Sequence, residues 1–109
     1  MKLRDAAQSL GLVCVTENDS GDREVTGCYI GDLLSWVMSK AQPGNIWITV
    51  QTNINILAVA TLADTACIVI PEDIKVDDMT LKKANIQEIS IYQSSKTSYQ
   101  LAKELSALI

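Results

Sequence analysis

The segment from residue 44 to residue 70 constrains the fold more strongly than any other part of the chain. Residues 46–50 are apolar and partly β-branched, which predicts a strand. Residues 54–62 are apolar at almost every position and predict a helix that other elements must cover on several sides. Residues 66–70 form a second apolar run, closed by Pro71, and predict a buried strand. A strand, a helix and a strand in this length make one βαβ unit, so the two strands should be parallel.

Two helices are predicted before this unit. The first is indicated by apolar residues at helical spacing with a glycine C-cap behind them, namely Leu3, Ala6, Ala7, Leu10 and Gly11. The second is indicated by an unbroken apolar stripe, made of Ile30, Leu33, Leu34, Val37, Met38 and Ala41. Asp32 then falls in the first turn of this helix, where the dipole favours a carboxylate. Trp36 lies beside the stripe and is either a flank of the core or part of a surface for a partner.

The remaining elements complete an alternating pattern. Residues 12–15 predict a short strand, residues 23–29 an extended segment, residues 77–85 a weaker helix and residues 88–92 a further strand. The last helix is predicted from a capping box and an apolar stripe, formed by Thr97, Gln100, Leu101, Ala102, Leu105, Leu108 and Ile109. This alternation predicts a single three-layer α/β domain over residues 1–109, with a mainly parallel sheet of about five strands flanked by helices. The strand order stays open, and the first two strands are near enough in sequence to pair antiparallel.

Length and composition exclude several classes of protein. A chain of 109 residues has room for one domain and one core. Its net charge of −4 opposes general binding to nucleic acid, because phosphate neutralisation needs clustered lysine and arginine. No apolar run approaches the roughly 20 residues that span a bilayer, and the first eleven residues lack the apolar core of a signal peptide. We therefore expect a cytoplasmic domain that binds neither nucleic acid nor a membrane.

The chain has no histidine and three widely spaced cysteines. Without histidine the commonest general base is missing, and Ser-His or Cys-His nucleophilic pairs cannot form. Cys14, Cys28 and Cys67 make no CxxC pair, which argues against a disulfide framework and a structural zinc site. Neither a GxxxxGK[ST] phosphate loop nor a GxGxxG fingerprint is present. We therefore predict a protein that is not an enzyme and has no catalytic residues, no metal and no cofactor.

Three polar segments are candidates for a binding site, at residues 26–32, 51–55 and 94–98. In an open parallel sheet, ligands bind beyond the carboxyl ends of the strands, where helix N-termini also point. If the sheet is parallel, the three segments should share one edge, and their amide and hydroxyl groups with one lysine would suit an anionic ligand. The candidate ligand-binding residues are Thr26, Gly27, Gln51, Thr52, Asn53, Ser94, Ser95, Lys96 and Thr97. The alternative is that these residues only cap helices, as serine, threonine and asparagine commonly do.

The residues from Asp22 to Cys28, DREVTGC, followed by Tyr-Ile and the helix start GDLLS, resemble the DRTGG domain. That family is named from an Asp-Arg, two variable residues and Thr-Gly-Gly. The segment from Trp47 to Ala60, with ITVQTNINILAVA in its core, is similar to the strand, turn and helix of the same family. The likeness covers nearly the whole chain. The chain departs from the family at Cys28, which replaces the last motif glycine, and at Asn53, which stands where we expect histidine.

The resemblance implies an α/β fold akin to the N-terminal domain of HPr kinase/phosphorylase. It also implies a regulatory accessory module, because family members occur beside CBS domains, an inorganic pyrophosphatase or a phosphotransacetylase. Stand-alone bacterial relatives are associated with iron-hydrogenase and kinase components. The motif brings no catalytic residues and no defined ligand with it, and the loss of the expected histidine puts any role of that position in doubt here.

Two functional hypotheses follow. The first is a non-catalytic regulatory module that binds a small anionic ligand, such as an adenine nucleotide, at the carboxyl ends of the strands. The second is a protein-interaction or assembly subunit without a small ligand, associated with a hydrogenase or a kinase, in which Trp36, Tyr29 and Tyr92 are exposed anchors. A homodimer is also predicted, because the mean hydropathy is positive at +0.15 and apolar surface should remain outside the core. Its interface should bury Trp36 or the outer face of residues 99–109.

Overall fold

The computed structural model describes all 109 residues. The chain forms one five-stranded sheet that is covered by helices on both faces. Along the chain the elements are α1 (Leu3–Leu10), β1 (Val13–Cys14), β2 (Gly27–Ile30), α2 (Leu34–Lys40), β3 (Asn45–Ile48), α3 (Asn55–Ala63), β4 (Cys67–Ile70), α4 (Asp78–Gln87), β5 (Ile91–Gln93) and α5 (Ser98–Ser106). The strand order in the sheet is β1-β5-β4-β3-β2. The predicted fold class, a three-layer α/β domain with a mainly parallel sheet, is confirmed.

Strands β2 to β5 run parallel to one another, and only β1 is antiparallel, with Val13 opposite Gln93. The predicted βαβ unit is β3, α3 and β4, and Trp47 of β3 lies opposite Ile68 of β4. A helix connects each parallel strand to the next, as parallel pairing requires. The carboxyl ends of β2 to β5 therefore meet at one edge of the sheet. We call this edge, with the loops that leave it, the carboxyl edge; the opposite edge is the amino edge.

Each central strand contributes to two separate cores, because successive side chains leave opposite faces of a strand. Ile46, Ile48 and Val69 pack against α1 and α5. Trp47 and Ile68 pack on the other face against α2, α3 and α4. Burial on both faces explains why residues 46–50 and 66–70 read as continuous apolar runs.

The C-terminal end of α1 and the start of α5 agree with the sequence prediction, and the end of α5 does not. Gly11 terminates α1 with a φ of 70° and donates its backbone N–H to the Ala7 and Gln8 carbonyls. Thr97 and Gln100 form the reciprocal capping box at the start of α5. Of the predicted stripe on α5, Leu101 and Leu105 are fully buried, whereas Leu108 and Ile109 are exposed beyond the end of the helix.

The predicted start of α2 is wrong. The helix begins at Leu34, because Ile30 instead extends β2 and lies opposite Ile48 of β3. Asp32 therefore lies in the loop before α2 and not in its first turn. Within α2 itself only Val37 is buried, and Met38 is exposed to solvent. The sheet pairing of β2 overrides a helical period that the sequence shows clearly.

Trp36 is 56% exposed on the outer side of α2, so it is not a flank of the core. The ammonium of Lys40 lies 5.1 Å from the centre of the Trp36 ring, in the geometry of a cation–π contact. The two residues are four apart on one helix, which brings their side chains together on its surface. Of the two interpretations of Trp36, only the exposed one agrees with the structure.

None of the five helices combines the length and the apolar character that crossing a bilayer requires.

Candidate functional site

Asp32 joins the first two loops of the carboxyl edge. One carboxylate oxygen of Asp32 accepts hydrogen bonds from the Thr49 hydroxyl and the Val50 backbone N–H, both at 2.8 Å. The Gln51 side-chain amide donates to the Asp32 carbonyl at 3.1 Å. The loop after β2 is thereby fixed to the loop after β3. The Asp32 residue is exposed, and its second carboxylate oxygen makes no hydrogen bond within the protein, so it remains free to accept one.

Asn53 caps the start of α3. Its side-chain oxygen accepts from the Asn55 backbone N–H at 2.9 Å, and its side-chain nitrogen donates to the Gln51 side-chain oxygen at 3.1 Å. Asn53 therefore acts as a helix cap, and this contact uses its side-chain oxygen. Together with Asp32, the amides of Gln51 and Asn53 form one continuous hydrogen-bonded group at the mouth of α3.

Thr52 connects this group to the start of α4. The Thr80 hydroxyl donates to the Thr52 carbonyl at 2.8 Å, and the Thr52 hydroxyl lies 3.4 Å from a carboxylate oxygen of Asp77. Asp77 is exposed and immediately precedes α4. The predicted residues Gln51, Thr52 and Asn53 are thus brought together with two exposed carboxylates, Asp32 at the end of the candidate segment 26–32 and Asp77, which lies outside all three predicted segments.

The turn after β5 is tied to the loop after β4. The backbone N–H groups of Glu72 and Asp73 donate to the carbonyls of Lys96 and Ser94 at 3.0 and 2.9 Å. Glu72 and Asp73 both have positive φ, 59° and 55°, a left-handed conformation that side chains rarely adopt. Ser94 is buried, and its hydroxyl accepts from the Lys96 N–H at 3.0 Å. These contacts hold the turn in one conformation.

Lys96 does not offer a free charge to this edge. Its ammonium donates to the Leu10 carbonyl at 2.9 Å and to the Glu104 carboxylate at 2.8 Å, and so links the end of α1 to α5. Thr97 caps α5. Among the candidate residues 94–97, only Ser95 is exposed with a side chain that makes no hydrogen bond. The expectation that Lys96 supplies the cation of an anion site therefore disagrees with the contacts that it makes.

Thr26 and Gly27 lie at the amino edge, away from the other candidate residues. Gly27 is the first residue of β2, so Thr26 precedes that strand. The Thr26 hydroxyl donates to the Pro43 carbonyl at 2.7 Å and accepts from the Asn45 side-chain amide at 3.1 Å. The expectation that all three polar segments share one edge is thus wrong for these two residues. The reason is that β2 begins at Gly27, later than the extended segment predicted over residues 23–29.

The DRTGG-like segment braces the amino edge of the sheet. The Arg23 guanidinium donates to the Asp64 carboxylate at 3.0 Å and to the Asp64 carbonyl at 2.9 Å. Asp64 ends α3 in the left-handed conformation, with a φ of 56°. Arg23 thus binds the C-terminal end of α3, and Thr26 binds the loop before β3. Both residues of the DRTGG-like segment therefore stabilise the βαβ unit.

The Cys28 thiol is not activated. Cys28 is partly buried and packs against the core beneath α5. Burial raises the pKa of this thiol to about 11, so it stays protonated at neutral pH. Because the thiolate is the nucleophile, the Cys28 thiol is a weak nucleophile in this environment.

Lys75 supplies the unpaired cation that the sequence analysis missed on this side of the molecule. It is exposed in the connection between β4 and α4, two residues before Asp77, and it forms no ion pair. The sequence did offer a signal for Lys75. The connection between β4 and α4 follows a parallel strand, so it leaves the carboxyl edge as the predicted segments 51–55 and 94–98 do.

The chain matches no family model and no curated protein. Its fold is similar to the crystal structure of the CBS and DRTGG domains of the regulatory region of Clostridium perfringens pyrophosphatase, complexed with its activator, diadenosine tetraphosphate. The TM-score is 0.68 and the identity 11%, over 94% of this chain and 44% of that chain. The chain thus spans less than half of that neighbour's length. The likeness is one of fold, and it supports a DRTGG-like architecture.

Proposed function

We propose that this domain is a non-catalytic regulatory module that binds a small nucleotide-type ligand at the carboxyl edge. The observation that carries the proposal is the hydrogen-bonded group of Asp32, Gln51 and Asn53. Thr52 and the exposed carboxylate of Asp77 lie beside it. A regulatory role has separate support in the neighbour of the same fold, which is a regulatory region complexed with a nucleotide activator.

The chemistry of this edge suits the sugar and base of a nucleotide better than its phosphates. Carboxylates accept hydrogen bonds, so Asp32 and Asp77 match ribose hydroxyls and an exocyclic amino group. The amides of Gln51 and Asn53 both donate and accept, and they complete the recognition of polar base edges. Lys75 is the cation for a phosphate on this side of the molecule, in the place that the sequence analysis gave to Lys96.

A ligand in this position acts on three elements at once. It touches the loops that precede α2, α3 and α4, which the hydrogen bonds of Asp32 and Thr52 already join. A ligand that binds one arrangement of these loops more tightly than another shifts the population toward it. Binding is thereby transmitted to the helical layer formed by α2, α3 and α4.

We expect adenine nucleotides to raise the melting temperature of the domain. Thermal-shift measurements with AMP, ATP and diadenosine tetraphosphate at millimolar concentration test this. A ligand at one hundred times its Kd stabilises the native state by about 2.7 kcal/mol. We expect Lys75→Gln to weaken the binding of ATP about tenfold, which corresponds to the loss of one phosphate contact of about 1.4 kcal/mol, while AMP loses less.

Lys103→Gln is the matched control, because it removes the same charge from an exposed position on α5, away from the carboxyl edge. This variant should bind ATP as the unaltered protein does. The proposal is overturned if no nucleotide shifts the melting temperature, or if Lys75→Gln and Lys103→Gln weaken binding equally.

The second candidate function is that of an assembly subunit, and the exposure of Trp36 favours it. β2 is the last strand on its side of the sheet, and its residue Ile30 is exposed. Leu33 and Trp36, which follow β2 in the chain and are three residues apart, are also exposed. Aromatic residues are enriched in the centres of protein interfaces. This surface is the one that we expect a homodimer to bury, with the outer face of residues 99–109 as the other choice.

We expect the protein to be a dimer at micromolar concentration and Trp36→Ala to make it monomeric. Sedimentation equilibrium distinguishes the two states, because the chain mass is 11.9 kDa. Tyr99→Ala is the informative comparison, since Tyr99 is an exposed aromatic residue on α5. If only Tyr99→Ala dissociates the dimer, the interface lies on α5, and a single 11.9 kDa species at all concentrations excludes both interfaces.

A further inference from the structure

A groove with an apolar lining separates α3 from α4 on the outer surface of the domain. Leu62 is 68% exposed, Met79 74% and Ile86 75%, which are the three largest exposures among the large aliphatic side chains of the chain. Ile54 and Leu57 form the deeper part of the lining. By contrast, α2 packs directly against α3 on its other side. The groove is therefore an unfilled position in a helical layer that is otherwise closed.

The two helices turn matching stripes toward this groove. On α4, Met79, Lys82, Lys83 and Ile86 recur at the spacing of one helical face. On α3, Ala58 and Leu62 are four residues apart on the side that lines the groove. Although α4 carries an acidic first turn, no acidic residue lines the groove. The face of α4 that lines the groove is therefore a cationic strip of Lys82 and Lys83 with apolar ends at Met79 and Ile86. It lies in a chain with a net charge of −4.

We propose that this groove docks an amphipathic helix of a partner protein whose apolar stripe is flanked by aspartate and glutamate. Helix-in-groove recognition uses an apolar face with residues at i, i+3, i+4 and i+7, and the lining of the groove offers complementary apolar contacts. Lys82 and Lys83 complement acidic side chains on the partner, which steers association and fixes the register. Since α3 has 9 residues and α4 has 10, the groove accommodates about three turns of helix, or about ten residues.

Two other occupants fit the groove less well. A second copy bound across a two-fold axis would bring the Lys82 and Lys83 side chains of both copies together, and like charges in one interface oppose association. A flat lipid surface could contact Met79 and Ile86 but would leave the deeper Ile54 and Leu57 uncovered, because the site is concave. A helix inserts into the concave site and covers both levels.

The test uses two synthetic amphipathic peptides that share one leucine and isoleucine stripe. One peptide carries glutamate and the other lysine at the positions that flank the stripe. Fluorescence anisotropy measures affinity for the whole chain, and ¹⁵N chemical shifts of the protein locate the contact. We expect the glutamate peptide to bind at least about tenfold more tightly than the lysine peptide. We expect its shifts to concentrate on α3 and α4, and Lys82→Glu with Lys83→Glu to reverse the preference.

Lys103→Glu is the control, since it reverses the charge of one lysine on α5, away from the groove, and should leave the preference unaltered. Equal binding of both peptides overturns the proposal, as do shifts that lie outside α3 and α4. It is also overturned if Ile86→Glu dissociates a homodimer, or if vesicles of anionic lipid occupy the groove more tightly than the glutamate peptide does. Ile86 is exposed, so this variant should fold, and the result is independent of nucleotide binding at the carboxyl edge.

Discussion

Trp47→Ala should lower the free energy of unfolding by about 3–5 kcal/mol, the usual cost of truncating a large buried aromatic residue. Trp47 is 0% exposed at the centre of the sheet and packs against the helical layer of α2, α3 and α4. Its indole N–H donates to the Gly31 carbonyl at 3.0 Å. The substitution therefore leaves a cavity and removes the donor from a carbonyl that orients the loop before α2.

Trp36→Ala is the control for this prediction, because the chain has two tryptophans in opposite environments. In the monomer, loss of the exposed Trp36 ring and its contact with Lys40 should cost no more than about 1 kcal/mol. The variants are therefore compared at a protein concentration low enough for the unaltered protein to be monomeric. Urea unfolding followed by far-ultraviolet circular dichroism gives both values without dependence on tryptophan fluorescence. An equal or smaller loss for Trp47→Ala than for Trp36→Ala would contradict the placement of β3 at the centre of the domain.

Gly44→Ala should destabilise the domain by about 2–4 kcal/mol, the sum of backbone strain of about 1 kcal/mol and overpacking of about 1–3 kcal/mol. Gly44 has a φ of +82°, and a Cβ at this position would lie 2.7 Å from the Thr26 methyl carbon and 2.9 Å from its hydroxyl oxygen. The Glu24 carbonyl at 3.1 Å closes the third side. The backbone of Gly44 accepts from the Thr26 N–H at 3.1 Å, so the two segments cannot separate without losing a hydrogen bond.

Gly11→Ala isolates the strain from the overpacking. Gly11 also has a positive φ, +70°, but no atom lies within 4 Å of the position of a Cβ. We expect this variant to lose only about 1 kcal/mol. Thermal or urea unfolding of both variants, and of Gly44→Ala combined with Thr26→Ser, measures the difference. The serine removes the closest atom and should recover part of the loss; no recovery would mean that Thr26 does not determine the fit of Gly44.

The parts of the fold that the sequence predicts are those with a local cause. The βαβ unit of residues 44–70 follows from continuous apolar runs, which only burial on both sides explains. The start of α5 follows from the spacing of Thr97 and Gln100. In both cases the residues that make the structure are close in sequence, so propensity, pattern and capping agree.

The candidate site is less predictable because long-range pairs decide it. Lys96 has the charge and the sequence position expected of a residue that binds an anion. Its ammonium instead contacts the carbonyl of Leu10, 86 residues away in the sequence. Thr26 lies at the amino edge and not at the predicted carboxyl edge, because β2 starts a few residues later than its extended pattern indicates. A shift of a strand boundary by a few residues is enough to place a side chain at the opposite edge of the sheet. Asp32 shows the same limit, since its partners Thr49 and Val50 belong to the loop after the neighbouring strand β3.

The strand order has a consequence for the order in which the domain is completed during translation. Strands β2 to β5 enter the sheet in the order of synthesis, each beside the one before it. β1 is made before all of them, yet its partner is β5, and α1 packs with α5. The side of β1 that pairs with β5 and the side of α1 that faces α5 thus stay uncovered until residues 91–106 have left the exit tunnel of the ribosome. The segment that carries α1 and β1 is therefore the part of this domain that waits longest for its partners, and a chaperone would find exposed apolar surface there.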